Sequence, residues 1–355
     1  MEQVLVGMSG GVDSSVAALL LMEHYGVVGA TMKLFDSVDI VTESKTCCSI
    51  TDVEDARRVC HRLGIPHHVF NFTETFHREV MERFADGYAR GKTPNPCIDC
   101  NRFVKFPHLL RRADQLGTTY IATGHYAQIR FDEATGRYQL LRGRDRLRDQ
   151  SYVLYAMTQS ELARTFFPLG DRTKTQIREI AEAKGLVTAD KPDSQDICFV
   201  PDGDYGTFLT EKMGLTALPG DILDSSGRVL GQHRGAIRYT IGQRRGLGVA
   251  AETPLYVTGK DMARNTVTVG VGRDLFVDRF RVRGLNWIAC EALTEPLAVT
   301  VMTRYRDQES EAILYPLPDG NVEARLQAPK RAVTPGQAAV FYQGDVVVGG
   351  GEIDV

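Results

Sequence analysis

The chain has 355 residues, 43% of them hydrophobic and 25% charged, which is long enough for two or three domains with cores of their own. A formal net charge of −3 does not exclude a nucleic-acid partner, because local clusters of charge matter more than the sum. The N-terminus lacks the basic and apolar regions of a signal peptide, and the apolar runs are too short to span a bilayer. We therefore expect a cytoplasmic protein, without a membrane partner, whose cysteines are reduced by default.

The first part of the chain alternates apolar strands with helices. Strands are predicted at 2–8, 27–35, 67–72 and 119–125, and helices at 16–26, 51–64, 74–90, 103–116, 148–165 and 173–185. This alternation predicts an α/β fold with a doubly wound parallel sheet. Residues 128–141 are typical of a hairpin, which we expect to be appended to that sheet.

The pattern changes after about residue 200. Residues 201–272 are rich in glycine and turns and predict a small central domain that contains β-structure. Residues 273–355 consist of alternating strand patterns separated by turn sequences, which predicts a C-terminal antiparallel β-barrel. We expect a catalytic domain at 1–200, followed by two domains that contact RNA.

A glycine-rich segment, "SGGVDSS" at 9–15, connects the first predicted strand to the first predicted helix. Gly10 and Gly11 allow a tight turn and a close approach of the backbone to a ligand. The N-terminus of the next helix supplies unpaired N–H groups and a positive dipole end, so the segment is suited to an anion. No lysine follows the glycines, which distinguishes the segment from the kinase-like phosphate loop.

This segment resembles the pyrophosphate loop of the PP-loop ATP pyrophosphatase superfamily. Members use ATP to adenylate a carbonyl or carboxyl oxygen and release pyrophosphate. The resemblance implies ATP as a substrate and Mg²⁺ as its companion ion, because phosphate charge needs neutralising. Asp13 is a candidate for holding that ion, although its carboxylate could equally cap the helix.

Six further motifs extend the resemblance over almost the whole chain: "TPNPCIDCNRFVKF" at 93–106, "ATGHYA" at 122–127, "RDQSYVLY" at 148–155, "DSQDICFV" at 193–200, "YTIGQRRGLG" at 239–248 and "GQAAVFYQGDVVVGGG" at 336–351. Together with "GMSGGVDSSVAA" they occur in the order found in the bacterial and organellar tRNA-specific 2-thiouridylases. The resemblance implies an enzyme that replaces the C2 oxygen of the tRNA wobble uridine by sulfur.

The resemblance also implies binding residues. The residues that match the ATP site are Gly7, Met8, Ser9, Gly10, Gly11, Val12, Asp13, Ser14, Met32 and Gly124. Those that match tRNA-contacting positions are Asn95, Pro96, Cys97, His125, Arg148, Asp149, Gln150, Arg304, Tyr305 and Gln337.

The resemblance assigns roles to two cysteines. Cys198 matches the carrier of a persulfide sulfur that a cysteine desulfurase relay supplies, and Cys100 matches the nucleophile that helps to release it. The two residues would then form a disulfide, which requires Cα atoms about 4.4–6.8 Å apart. We therefore expect the segments around 97–100 and 190–202 to meet, the second as a mobile loop that becomes ordered when tRNA binds.

Cys97 is a departure from the family, because many members have aspartate there. Asp99 lies two residues further along and need not inherit the role of that aspartate. The substitution creates a second possibility, in which Cys97, Cys100 and Cys198 hold a 4Fe–4S cluster that delivers the sulfur. A zinc site is a weaker alternative because no fourth ligand is evident, and we predict no dedicated protein metal site in the persulfide scheme.

Two rival functions also remain open: another PP-loop ligase, and a tRNA-binding protein without catalytic activity. Both cysteine motifs argue against the first, and the complete loop argues against the second. The other cysteines, Cys47, Cys48, Cys60 and Cys290, are interpreted as incidental or packing residues.

Overall fold

The computed structural model describes residues 1–35, 50–186, 197–200 and 203–354. Cys47, Cys48 and most of the segment 190–202 therefore lie outside the described residues, as does the prediction that this segment is a mobile loop. No helix among the described residues is both long and apolar enough to cross a membrane.

A five-stranded parallel sheet forms the centre of the N-terminal part. Its order is β3-β2-β1-β4-β7. The strands are β1 Gln3–Gly7, β2 Gly26–Lys33, β3 His67–Asn71, β4 Tyr120–Ala122 and β7 Thr165–Phe166. Helices cover both faces: Leu5 of β1 belongs to one hydrophobic core with Leu109, whereas Val4 belongs to another with Val59. The predicted doubly wound sheet is confirmed.

The helices of this part are α1 Val12–Leu21, α2 Ile50–Leu63, α3 Thr73–Phe76, α4 Arg83–Ala89, α5 Pro96–Asp99, α6 Phe106–Leu116, α7 Ser151–Leu154, α8 Gln159–Leu162, α9 Lys174–Ala183 and α10 Tyr205–Thr207. Three π-helical turns, at His77–Glu82, Cys100–Lys105 and Phe208–Lys212, continue α3, α5 and α10. The single helix expected at 148–165 is instead two short helices and a strand, because Thr158 caps α8 and starts a new helix there.

The hairpin is formed by β5 Ala127–Asp132 and β6 Arg137–Arg142. The prediction that it extends the parallel sheet is wrong. Leu141 of β6 pairs with Val346 of the C-terminal part, so the hairpin joins the barrel sheet. The reason is hydrophobic: Leu140 is fully buried in a core that it shares with Ile288, Tyr342 and Val347.

The central part is a small four-stranded sheet with the order β10-β11-β8-β9. Its strands are β8 Gly220–Leu223, β9 Val229–His233, β10 Tyr256–Asp261 and β11 Thr266–Gly270. Short 3₁₀ helices occur at Ala236–Arg238 and Gly272–Leu275. Ile222, Val257 and Val267 form its own hydrophobic core, which confirms a separate β-containing unit.

The C-terminal part is a closed antiparallel barrel. Its strands are β12 Phe276–Trp287, β13 Leu297–Met302, β14 Ser310–Pro316, β15 Val322–Arg331, β16 Ala338–Gln343 and β17 Val346–Asp354. They follow the order β12-β15-β14-β13-β16-β17, and pairing of β12 with β17 closes the barrel. The predicted barrel is confirmed.

The barrel is fastened to the parallel-sheet unit through α7 and the residues that follow it. The Tyr152 hydroxyl donates to the Ala338 carbonyl at 2.8 Å, and the Asn286 side-chain amide donates to the Tyr155 carbonyl at 2.7 Å. Met302 and Val340 lie in the same hydrophobic core as Leu5. Because this core is continuous, the barrel helps to fix the position of the helices that carry the site.

Candidate active site

The glycine-rich segment forms a tight loop between β1 and α1. Gly10 has a φ of +72°, and a Cβ there would lie 2.3 Å from the Asp52 carbonyl oxygen at the start of α2. A larger residue would therefore be strained and would also clash. Gly11 is the N-cap residue of α1, and no side chain caps the first N–H groups of the helix. The N-terminus of α1 thus faces the loop with its first backbone N–H groups, as an anion site requires.

The serines of the loop brace it from within. Ser14 Oγ accepts from the Ser9 backbone N–H at 3.1 Å and donates to the Gly11 carbonyl at 3.2 Å. The Ser15 hydroxyl donates to the same carbonyl at 2.8 Å and is fully buried. Met8 and Val12 are also buried, so within the predicted ATP segment only Ser9 is strongly exposed. A ligand at this loop would therefore contact mainly backbone groups, together with the Ser9 side chain.

Asp13 of the loop is bound by two residues that sequence reasoning missed. Lys174 Nζ lies 2.8 Å from both carboxylate oxygens, and the Tyr126 hydroxyl donates to Oδ1 at 2.7 Å. Lys174 is the first residue of α9 and is 7% exposed. The loop sequence contains no lysine, and the lysine beside it in the structure is Lys174, which is distant in sequence. No local sequence signal could have identified this residue.

Gly124 and Met32, the two predicted ATP-site residues outside the loop, have different neighbours. A Cβ at Gly124 would lie 2.8 Å from the Asp13 carbonyl carbon and from the Ser14 nitrogen, so this glycine allows the strand end to approach α1. Met32 lies at the end of β2 and packs against the hydrophobic cluster that includes Phe76, Phe84 and Phe199. The ATP-site prediction for these two residues stays a prediction, but both positions adjoin the site.

Cys100 lies at a change of helical geometry. Asn95 caps α5 by accepting from the Cys97 backbone N–H at 3.1 Å, and Pro96 occupies the first turn. A π-helical turn begins at Cys100 itself. Such turns occur frequently at functional sites, because the extra residue shifts the direction in which side chains project. Cys97 is exposed and Cys100 is half-buried.

Cys100 and Cys198 are brought to the same hydrophobic cluster. Both pack against the group of residues that includes Phe76, Phe84 and Phe199, which is the cluster that Met32 contacts. Phe199 anchors the second cysteine, since its ring lies 5.5 Å from Phe84 and 5.1 Å from Phe208. The predicted approach of the two cysteine segments is therefore supported, although a disulfide between them stays a prediction.

Asp99 lies beside the nucleophile position in a buried environment. Its carboxylate is 3.5 Å from Arg83 Nε. Burial raises the pKa of Asp99 to about 6, against the opposing effect of the Arg83 charge. A carboxyl group with this pKa keeps a larger protonated fraction just below neutral pH than an ordinary surface aspartate does.

Tyr305 connects three of the predicted tRNA-contacting segments. Burial raises its pKa, and both Asp149 and Cys97 lie near enough to act electrostatically on its phenol. Arg304, the preceding residue, donates to the Ala332 carbonyl at 2.7 Å. The Tyr305 ring also lies 6.1 Å from the ring of Tyr152, so the barrel loop at 304–305 adjoins the segment that follows the "RDQ" turn.

Other predicted tRNA-contacting residues have structural contacts. Asp149 accepts from the Ser151 hydroxyl at 2.8 Å, and Gln150 accepts from the Tyr126 backbone N–H at 2.9 Å. Gln337 donates to the Thr93 carbonyl at 2.6 Å, which ties the barrel to the turn before Cys97. Arg148 is partly exposed in the same turn as Asp149.

His125 is buried among protein groups. Its Nδ1 lies 2.7 Å from the Thr123 hydroxyl, and its Nε2 lies 3.5 Å from Lys105 Nζ. Burial, assisted by Lys105, holds the pKa of His125 well below its usual range, so the ring is neutral. A contact between this ring and RNA would require the site to rearrange.

The cluster alternative receives no support from geometry. Within the part of the chain that the structure describes, no three His, Cys, Asp or Glu side chains are grouped so that they could hold a metal ion. Cys97, Cys100 and Cys198 are all among the described residues.

Family models match the chain in three consecutive regions. Residues 2–202 match the tRNA methyl transferase HUP domain, 206–271 the tRNA methyl transferase PRC-barrel domain, and 277–353 the aminomethyltransferase beta-barrel domain. Two of these descriptions name methyl transferases and one an aminomethyltransferase, whereas the individual relatives described next are named as thiouridylases.

Those proteins match over almost their full length. The tRNA-specific 2-thiouridylase MnmA of Acetivibrio thermocellus is 48% identical over 355 residues, covering 99% of each chain. The proteins of the same name from Clostridium acetobutylicum and Carboxydothermus hydrogenoformans are also 48% identical, over 99% of this chain and 99% and 98% of their own. The chain therefore belongs to the tRNA-specific 2-thiouridylase family.

Proposed function

We propose that this protein is a tRNA-uridine 2-sulfurtransferase, which uses ATP to replace the C2 oxygen of the wobble uridine by sulfur. The observation that carries the proposal is the shared cluster: Met32, from the predicted ATP site, contacts the same hydrophobic group as Cys100 and Cys198. Nucleotide activation and sulfur transfer can therefore occur next to each other. A methyl transfer, suggested by the names of the family models, would leave both cysteines and the loop unexplained.

In the first step, ATP binds with its phosphates at the loop and the N-terminus of α1. The uracil C2 oxygen attacks the α-phosphorus, which forms an O-adenylated base and releases pyrophosphate. Lys174 lies next to the loop and can exchange its carboxylate partner, Asp13, for phosphate oxygens. Once Lys174 has turned to the phosphates, Asp13 would be the carboxylate nearest to hold Mg²⁺, and that ion would supply neutralisation of phosphate charge.

In the second step, Cys198 transfers sulfur. The terminal sulfur of its persulfide attacks C2, and AMP leaves with the original oxygen. Cys100 thiolate then attacks Cys198 Sγ, which forms a Cys100–Cys198 disulfide and leaves the sulfur on C2 as the thiocarbonyl. An external reductant reopens the disulfide. Adenylation matters because the carbonyl oxygen becomes part of a good leaving group.

The tRNA would lie across all three parts of the chain. Base chemistry requires the target uridine to leave its stack, and we propose that it would enter beside Tyr305 and the "NPC" turn. We propose domain boundaries at 1–200, 201–272 and 273–355, with the last two parts holding the tRNA. We also propose the cytoplasm as the location, since ATP, tRNA and a cysteine desulfurase relay must all be accessible.

The proposal is tested by incubating the full-length protein with unmodified tRNA, ATP and a persulfide donor. Mass spectrometry of the digested tRNA should show 2-thiouridine only when ATP is present. Cys100→Ser and Cys198→Ser should each abolish the product, whereas Cys290→Ser, a half-buried cysteine in the loop after β12, should not. Wild-type protein that makes no thiolated base, or makes it without ATP, would refute the proposal.

A further inference from the structure

A cavity of about 480 Å³ lies where the three parts of the chain meet. Tyr88 of α4 contributes from the N-terminal part, Tyr205 from α10, which follows that part, Arg238 and Thr240 from the central part, and Arg304 from the barrel. The "TIGQRRG" motif of the central part thus forms one wall. Neither ATP activation nor sulfur transfer uses this cavity, and its volume suits a single nucleotide unit.

The wall formed by the central part is held in a fixed shape. Gln243 Oε1 accepts from the Thr240 backbone N–H at 3.1 Å, and the Gln243 backbone N–H donates to the Thr240 carbonyl at 3.0 Å. The Gln243 side chain also donates to the Arg245 carbonyl at 3.0 Å. This turn is therefore preorganised, which lowers the cost of binding a ligand against it.

The charges of the cavity favour a phosphate. Arg238 Nη2 donates to the Thr210 hydroxyl at 3.2 Å, and Gly206 leaves room for the guanidinium, since a Cβ there would lie 2.5 Å from Nη1. Arg304 lines the same cavity from the barrel. The one acidic residue of the described lining, Asp204, accepts from the Thr207 hydroxyl at 2.6 Å and from its backbone N–H at 3.0 Å. Its carboxylate caps α10 and also attracts Arg238, so two arginines against one carboxylate leave this lining with a net positive charge.

Aromatic and exposed basic side chains complete the arrangement. Tyr205 supplies a ring on which a base can stack, while Arg244 and Arg245 are exposed in the same motif. Two exposed arginines that line the cavity, one tyrosine ring and two exposed arginines beyond it would suit the phosphate, the base and the continuing backbone of an RNA strand.

The position of the cavity identifies which nucleotide it would take. Arg304 is followed by Tyr305, which lies near Cys97, and Tyr205 packs against the cluster that also holds Cys198. We infer that the cavity binds a second nucleotide of the tRNA, one that adjoins the wobble uridine, through its phosphate and its base. This inference rests on the proposed function, because the occupant is part of the same substrate.

The test uses the full-length protein and an anticodon stem–loop RNA in which single phosphates are replaced, one at a time, by neutral methylphosphonates. Affinity is measured for wild type, Arg238→Gln and Arg238→Lys. A matched control is Arg234→Gln, an exposed arginine of the same unit outside the cavity. Thermal unfolding of each variant verifies folding.

We expect Arg238→Gln to weaken binding of the unmodified RNA and to reduce the slope of log affinity against log salt by about 1, with partial recovery in Arg238→Lys. At one phosphate next to the wobble position, neutralisation should weaken wild type but cause no further loss in Arg238→Gln. Arg234→Gln should show no such coupling.

Tyr205 provides a second variant that does not depend on Arg238. Tyr205→Ala should weaken RNA binding about tenfold, whereas Tyr205→Phe should bind normally, because stacking needs the ring and not the hydroxyl.

The inference is overturned if the loss of affinity caused by Arg238→Gln adds to the loss caused by neutralising the phosphate at every position. It is also overturned if the variants bind RNA as tightly as wild type. Unchanged RNA affinity combined with slower sulfur uptake from the donor would overturn it in favour of a docking site for the donor protein. If wild type neither binds nor thiolates the RNA, the proposed function itself fails. If wild type does both and only the coupling is absent, the cavity inference alone fails.

Discussion

The phosphate loop and the cysteine site are built in different ways. The loop is braced by its own Ser9, Ser14 and Ser15, and the distant partners of its Asp13, Lys174 and Tyr126, lie outside the barrel. The cysteine site is assembled from distant segments that meet at one aromatic cluster. The difference indicates that ATP activation should tolerate changes in the barrel, whereas sulfur transfer should depend on how the distant segments are held.

The largest effect is expected from the cysteine variants, which should lose thiolation but keep ATP activation at the phosphate loop. In Cys100→Ser and Cys198→Ser, thiolation should fall to background, because neither the carrier nor the resolving thiolate can be replaced by a hydroxyl. Pyrophosphate release in the presence of tRNA should persist, measured by a coupled phosphate assay. Loss of pyrophosphate release in either variant would show that the regions are not separate.

A loop variant should produce the converse result. Gly124→Ala forces a Cβ to within 2.8 Å of the backbone at Asp13 and Ser14, so the loop must shift. We expect adenylation to decrease by about 10²-fold, as misplacement of reacting groups by about 1 Å can cause. Gly259→Ala, whose added Cβ would lie 3.7 Å from Thr268, is the control. Equal rates in both variants would contradict the assignment of Gly124.

Lys174 tests the contact that joins the loop to α9. Lys174→Met should weaken ATP binding about tenfold, because a charged hydrogen bond contributes about 1.5–3 kcal/mol, and Lys174→Arg should restore part of it. Isothermal titration measures the affinity, with Lys184→Met, an exposed lysine just after the same helix, as control. A lower melting temperature with unchanged ATP affinity would mean that Lys174 only pairs with Asp13.

Asp99, which lies beside Cys100, should make the free energy of unfolding depend on pH. Its pKa of about 6 lies above the ordinary value of 3.8, so the folded protein favours the protonated form. The resulting destabilisation is absent below about pH 4, increases as pH rises through the folded pKa, and is complete above it. Its size is of order 1–3 kcal/mol.

Asp99→Asn should therefore raise the unfolding temperature at pH 7.5 by more than at pH 5, measured by calorimetry. Asp86→Asn, on the exposed side of α4, serves as the control. A gain that is the same at both pH values would contradict the burial of an ionised Asp99.

The smallest effects are expected on the RNA surface. Arg148→Gln and Arg304→Gln should each weaken tRNA binding a few-fold and reduce the salt slope by about 1, because single phosphate contacts are individually weak. ATP-dependent pyrophosphate release at saturating tRNA should not change. A change in that rate at saturation would indicate that these arginines do more than bind RNA.

Local patterns predicted most of the fold. The strand–helix alternation predicted the parallel sheet, and the "SGGVDSS" segment predicted the tight turn between β1 and α1, because both depend on residues close in sequence; anion binding by that turn stays a prediction. The hairpin at 128–141 was assigned to the wrong sheet, because its own alternation says nothing about its partner. Leu140 finds its core among residues that follow it by more than a hundred positions.

The candidate site was predictable only in part for the same reason. Cys100 and Cys198 were identified by motif, but the cluster that unites them depends on Phe76, Phe84 and Phe199, which are ordinary core residues in the sequence. Lys174 gave no signal, since it lies outside every motif and a single lysine in a sequence does not reveal its partner. His125 matched an RNA-contacting position, yet its burial beside Thr123 became evident only in three dimensions.

The most direct test of the sulfur-transfer account is a single turnover under anaerobic conditions. Protein loaded with persulfide at Cys198 is treated with an iron chelator, its spectrum and iron content are recorded, and ATP and unmodified tRNA are added. We predict colourless, iron-free protein that yields thiolated tRNA and the Cys100–Cys198 disulfide in equal amounts, detected by peptide mass spectrometry. A brown protein whose activity follows its iron content, or thiolated tRNA without the disulfide, would contradict the account.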